Sequence, residues 1–203
     1  MALTTDIWAV TPSFSAGLYR AGAAIAGAGD ITLLTNQPLD NGAGYQILFT
    51  CAGDATAATF TITGYKVGDL TQSVTTETVA GVDTDTATST NYYSKVTSIS
   101  SDAAVATNVS IGTLITDGVA LPRARLRGFY YVATAVAGSI TLRANGGTAA
   151  DRILLSIATP AIVAAQQMSL PGDGILMGGS GATSAFAVLI NTGNVTSLTA
   201  FVG

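Results

Sequence analysis

Four phrases between Thr59 and Gly112 constrain this chain more than any other feature: TFTITG (59–64), TTETVAG (75–81), STNYYSKVTSIS (89–100) and VATNVSIG (105–112). Side chains alternate across an extended chain, so Phe60 and Ile62 fall on one face of the first phrase and Thr59, Thr61 and Thr63 on the other. That is the pattern of a half-buried strand. Gly64, Gly68, Gly81 and Gly112 punctuate the run, and Thr, Val, Ile and Tyr fill the intervals, a composition suited to a pleated sheet and not to a helix.

The same signal recurs on both sides. Strands are expected at 31–34, 45–51, 59–64, 73–79, 92–99 and 108–111. The Ala/Gly tract 21–29 is expected to be an extended arm or loop, because Gly22, Gly27 and Gly29 each weaken a helix by about 1 kcal/mol relative to Ala. The segment GVDTDTATST (81–90) reads as a polar loop. Near 114–122 the character changes, with the Asp117-Gly118 turn signal and then Pro122, and a domain boundary is expected there. Beyond it, 125–136, 139–144, 152–158, 161–170, 175–177, 185–191 and 195–202 give seven more candidate strands at the short spacing of a sandwich or barrel. The expectation is an all-β chain of two antiparallel β-sandwich domains in tandem, 1–118 and 119–203, the first beginning with an N-terminal arm.

Composition bears on partners. Charged residues are 10% and hydrophobic residues 48% of the 203, and a surface so poor in charge suits a protein covered by others, a homodimer or homotrimer included. The apolar stretch 129–136 is broken by Thr134 and falls well short of the roughly 20 residues of a spanning helix, so no membrane partner is expected. The start, MALTTDIWAVTPSF, has no basic beginning and no continuous apolar run, which predicts synthesis in a cytoplasm. Cys51 is the sole cysteine, and its period-2 spacing with Ile47 and Phe49 predicts a core thiol. Residues 1–118 carry a net charge of −7 and residues 119–203 one of +3.

The chain has no histidine, which removes the commonest general base and metal ligand and leaves no Ser-His-Asp or Cys-His arrangement. A non-enzymatic protein without cofactor or metal is therefore expected. Asp83 and Asp85 could hold Ca²⁺ on the polar loop, but a calcium loop brings more oxygen ligands than this segment offers, and a solvated loop is the plainer reading. Glu77 is a lone acid in a strand, expected to face solvent or a neighbouring subunit. The run Gly178–Gly181 lacks the lysine and the strand-to-helix context of a phosphate cradle. Asn108-Val-Ser and Asn194-Val-Thr match the glycosylation sequon and read as incidental.

Arg123, Arg125 and Arg127 are the one charge feature with a pattern. At period two their guanidinium groups share a face, either as an inter-subunit or inter-domain contact or as charge protecting an exposed strand edge. Nucleic acid is disfavoured by the scarcity of other basic residues. Tyr92, Tyr93, Phe129, Tyr130 and Tyr131 are the rings on which a glycan could stack, although neighbours in a strand point to opposite faces.

The phrases of 59–112 resemble a recurring β-domain of tailed-bacteriophage structural proteins, in which a TFTVTG strand is followed by ETVTG, by ST-x-x-F-x-x-V-T-S-I and by V-x-V-G. Here these are 59–64, 77–81, 89–99 with Tyr93 at the aromatic position, and 109–112, roughly a quarter of the chain. The turn after the first strand departs from the family, reading Tyr65-Lys66-Val67-Gly68-Asp69. RLRGFYYVATAVAGSITL and the LPGDGI turn at 170–175 also look like a phage module. The resemblance implies a virion component: a capsid decoration or cement protein binding the major capsid protein or other virion proteins, or else a tail, neck or fibre-attachment component. A glycan-binding module is the alternative from another class.

Overall fold

The computed structural model describes residues 8–10, 17–34, 44–67, 73–113, 119–122, 124–144, 152–172, 174–177, 186–191 and 195–202, and among them every regular element is a β-strand. In chain order these are β1 (Trp8–Val10), β2 (Arg20–Ile25), β3 (Gly29–Asp30), β4 (Ile47–Cys51), β5 (Thr59–Lys66), β6 (Val74–Ala80), β7 (Thr86–Thr88), β8 (Tyr93–Ser101) and β9 (Val105–Thr113). They continue with β10 (Val119–Pro122), β11 (Ala124–Ala133), β12 (Gly138–Ala144), β13 (Ile153–Thr159), β14 (Ala165–Ser169), β15 (Ile175–Met177), β16 (Phe186–Asn191) and β17 (Val195–Val202). All pairings between them are antiparallel.

The strands fall into two units, one built from β2 to β9 and the other from β1 together with β10 to β17. The unit of β2–β9 has two four-stranded sheets, ordered β2-β9-β4-β7 and β3-β8-β5-β6. Numbered along this unit, the first strand pairs with the eighth, the second with the seventh, the third with the sixth and the fourth with the fifth. The eighth also lies beside the third, and the seventh beside the fourth. A long antiparallel hairpin wrapped on itself has this order, the strand order of a jelly roll.

The second unit repeats it. Its sheets run β1-β17-β11-β14, with β15 also on β11, and β10-β16-β12-β13. β15 pairs with 124–126 of β11 and β14 with 128–132, so the two pieces act as one interrupted sixth strand. With that equivalence the eight positions pair as in the first unit. The first strand, β1, is separated in sequence from the second, β10, by the whole of the other unit. The tandem expectation therefore gives way to a nested one: residues 8–10 belong with the C-terminal strands because Trp8 pairs with Val202 and Val10 with Ala200. Val119–Pro122, expected to be part of a boundary, is a paired strand.

Alternation explains the core of the unit of β2–β9, called inner because its sequence lies within that of the other, outer unit. Phe60 and Ile62 on β5 and Ile47, Phe49 and Cys51 on β4 are all buried, while Thr59, Thr61 and Thr63 are partly exposed. β4 and β5 lie in different sheets, and the Phe49 and Phe60 rings stack between them with centroids 4.6 Å apart and planes 7° from parallel. Tyr93, Val96, Ile99, Val109 and Ile111 join the same cluster from β8 and β9. Strict alternation fails in β8 because its register with β5 shifts at Gly64, where a Cβ would stand 2.3 Å from the Lys95 carbonyl oxygen. Only glycine fits that crossing.

Three local expectations change. Residues 20–25 form an edge strand rather than a loose arm, its small side chains exposed. The polar stretch 81–90 contains β7, an exposed edge strand on Leu48–Thr50. Residues 31–34 are not a strand, though Ile31 is buried and its amide bonds the Ile99 carbonyl.

Truncating either stacked ring should empty the centre of the inner unit. Phe49→Ala and Phe60→Ala are each expected to destabilise that unit by about 3–5 kcal/mol, read from the chemical-denaturation midpoint. A loss under about 1 kcal/mol for both would contradict the packing described.

Candidate functional site

The arginine stripe begins β11. Arg123 lies outside the described residues; Arg125 and Arg127 flank the buried Leu126 and are both partly exposed on the opposite face. A register shift between Leu126 and Gly128 leaves Arg127 as the extra residue of a bulge, and its Nε is buried. β11 has β17 on one flank and β14 and β15 on the other. It is an interior strand, and charge on it does not guard a sheet edge; of the two readings of the stripe, edge protection loses its basis.

Glu77 does not face away from its own unit. It sits in β6 opposite Ile62, a fully buried residue, so it shares the inward face of its sheet. There it accepts hydrogen bonds from the Thr90 amide, the Asn91 amide (3.1 Å), Asn91 Nδ2 (2.9 Å) and the Tyr93 hydroxyl (3.1 Å). Burial, then the Glu77 charge, push the Tyr93 phenol above the ordinary tyrosine range. Ser89 Oγ, in the same link, accepts from the amide of Ile47 in the other sheet (2.8 Å) and donates to the Asn91 carbonyl (2.9 Å). The link from β7 to β8 is thus held by a strand of each sheet. A carboxylate engaged by four donors acts as a clamp.

The acids of the 81–90 segment are spent locally. Asp83 accepts from Thr84 Oγ1 and Asp85 from the Thr86 amide, and Asp83 forms a backbone bridge with Asp54. Thr56 donates twice to Asp54, first from its hydroxyl, which holds that carboxyl below its usual range. Among the described residues no group of three or more His, Cys, Asp or Glu side chains could hold a metal. Cys51 is a buried free thiol on the core face of β4. Gly178–Gly181 and Asn194 lie outside the described residues, and Asn108 is exposed on β9.

Four of the five candidate stacking rings are interior: Tyr92, Tyr93, Phe129 and Tyr131 are buried, and Tyr130 alone of the five is exposed, by 37%. Adjacent Tyr92 and Tyr93 are both buried because Tyr92 precedes the strand and the alternation starts after it. A cavity of about 380 Å³ opens at the corner between β2 and β3, lined by Arg20, Ile25, Asp30, Ile31 and neighbouring Ala and Gly residues. Arg20 is turned back there, donating to the Ala24 carbonyl at 2.7 Å. No helix is long and apolar enough to cross a membrane among the described residues.

No protein-family model, curated protein or solved structure matches the chain.

Two measurements follow from the polar groups. Glu77→Ala leaves the Thr90 and Asn91 amides and the Tyr93 hydroxyl without their acceptor and should cost about 1–3 kcal/mol, with faster amide exchange at 89–91; unchanged exchange there would exclude the clamp. Tyr19 is fully buried, its hydroxyl has no hydrogen-bond partner among the described residues, and burial, with Tyr45 adding, pushes its pKa up to about 12. Its neutral form is the one the fold accommodates, so this stability is present below about pH 10 and is lost as pH rises from there through about 12. Tyr19→Phe should therefore be neutral or stabilising at pH 7 and should reduce the alkaline loss of stability above about pH 10. Equal alkaline slopes in the two proteins would contradict it.

Proposed function

We propose that the chain is a non-enzymatic structural subunit of a bacteriophage virion, a capsid decoration or cement protein built from two jelly-roll β-sandwiches, one carried inside the other. The observation that carries this reading is the strand order, obeyed twice over in one chain. Jelly rolls recur in viral capsid and lectin domains, and fold alone never names a function. The resemblance of 59–112 to tailed-phage β-domains and a sequence only 10% charged point to the viral side of that choice. The lectin side has less to stand on, since the rings it would use are mostly in the cores.

A decoration protein works without chemistry. It binds the major capsid protein over many equivalent sites, and modest contacts repeated across a lattice add up to a stiffer shell. Arg125 and Arg127, exposed in part on the outer face of an interior strand, are the residues assigned to an inter-subunit contact, with Arg123 one step upstream. Guanidinium groups suit such a role because they pair with carboxylates in a fixed fork geometry. A tail, neck or fibre-attachment component would use the same folds at far lower copy number.

Quantitative mass spectrometry of purified particles tests the reading. A copy number on the scale of the major capsid protein is expected; a few copies per particle would move the chain to the tail or neck, and absence from particles would end the virion reading. Reversing the charge with Arg125→Glu and Arg127→Glu is expected to lower occupancy about tenfold or more while leaving each unit folded. Undiminished occupancy would remove the arginine contact.

A further inference from the structure

The two units share one strand order, and their first strands are attached in very different ways. In the inner unit the first strand is β2, six residues long, and β3 follows it at Gly29. The chain after β2 folds straight back onto the same unit, where the Ile31 amide donates to the Ile99 carbonyl (2.8 Å) and the Leu34 amide to the Tyr19 carbonyl (2.7 Å). In the outer unit the first strand is β1, three residues long, and the next strand of that unit, β10, starts at Val119, beyond the whole inner unit.

β1 stands at the margin of its sheet, and among the described residues its one strand neighbour is β17. Three residue pairs hold it there: Trp8 with Val202, Ala9 with Phe201 and Val10 with Ala200. A hairpin strand is returned to its partner by its own turn. β1 has no such turn, and it reaches β17 by closing a loop that runs from Val10 to Ala200. Without β1 the margin of the sheet would be β17 itself, VTSLTAFV, eight residues with neither charge nor proline. An edge of that kind recruits a strand.

We propose that β1 is an exchangeable strand: Trp8–Val10 of one copy of the chain pairs with β17 of a second copy, and the reciprocal exchange joins the two as a dimer. The ladder itself selects the occupant. A second copy carries the very strand that the β17 edge already pairs with, in the register Trp8 to Val202, so every contact of the closed form is kept in the exchanged one. The two forms differ in loop closure alone. A strand tethered within its own chain competes at an effective concentration on the order of millimolar. The closed monomer therefore prevails in dilute solution, and exchange takes over where copies are crowded together. The chain need change its course only within 11–19, between β1 and β2. The inference goes beyond the virion reading and stands without it.

Sedimentation equilibrium of the full chain, after incubation at up to roughly millimolar concentration, tests it. The wild-type mass should rise above the 20.3 kDa monomer toward the dimer. Ala9 and Phe201 are opposite one another, so Ala9→Cys combined with Phe201→Cys, oxidised while dilute, ties β1 to its own β17. That chain should stay at the monomer mass, and reductant should restore its association. Cys51 is buried and is left in place. Single Ala9→Cys and Phe201→Cys chains oxidised together at the high concentration should give the 9–201 disulfide. Its yield should be about tenfold above that from Phe201→Cys mixed with Thr78→Cys, whose thiol lies at an exposed position of β6. A wild-type chain that stays monomeric throughout overturns the proposal. Association undiminished in the oxidised double variant overturns it as well, and so does a 9–201 yield no higher than that of the control pair.

Discussion

In each unit the first strand pairs antiparallel with the last, β2 with β9 and β1 with β17, and the remaining topology depends on that closure. It covers the edge of the last strand, which would otherwise be open, and brings the two ends of the unit side by side. In the inner unit Arg20 lies opposite Ile111 and the Tyr19 amide bonds the Ile111 carbonyl at 2.9 Å, so the chain enters and leaves at one place. A unit whose ends meet can replace a loop of another protein without stretching it. The outer unit accommodates it between its first and second strands. Loop-closure entropy grows slowly, by about 0.6 kcal/mol for each doubling of length. An insertion that folds on its own shortens the effective loop further, so joining Trp8 to Val202 is affordable despite their separation.

The shared topology lets the two units differ where function is expressed. The inner one is braced by a stacked pair of phenylalanines and by polar clamps on the link from β7 to β8, Ser89 bonded to Ile47 of one sheet and Glu77 reaching from the other. Glu77 is also an inward-pointing charge on an edge strand, which discourages strand addition there. The outer unit keeps its arginines toward one end and an uncharged, aliphatic surface at the other.

Strands with a hydrophobic face were legible in the sequence. The spans 175–177 and 195–202 agree with β15 and β17 to the residue, and the period-2 placement of Phe60, Ile62, Phe49 and Cys51 matches the core. Strands without such a face were not: β2 is Ala and Gly exposed on both sides, and β7 is a three-residue polar edge. β10 was hidden by a turn signal just before it. The nesting left no local trace, because Trp8 meets Val202 only through a pairing that spans nearly the whole chain. The arginine periodicity was visible, but that β11 is an interior strand depends on which strands flank it. The inward aim of Glu77 follows from its register with Ile62, which alternation within a single strand does not reveal.

The nested arrangement is tested most directly by taking the two units apart. Residues 13–115 are expressed alone, and in a second chain the same residues are replaced by a short Gly/Ser bridge; each is unfolded in denaturant. The account predicts a single cooperative transition for each, with the one in the bridged chain reported by Trp8, the sole tryptophan, which travels with the outer unit. An unfolded 13–115 fragment, or a bridged chain in which Trp8 shows no cooperative transition, would contradict it.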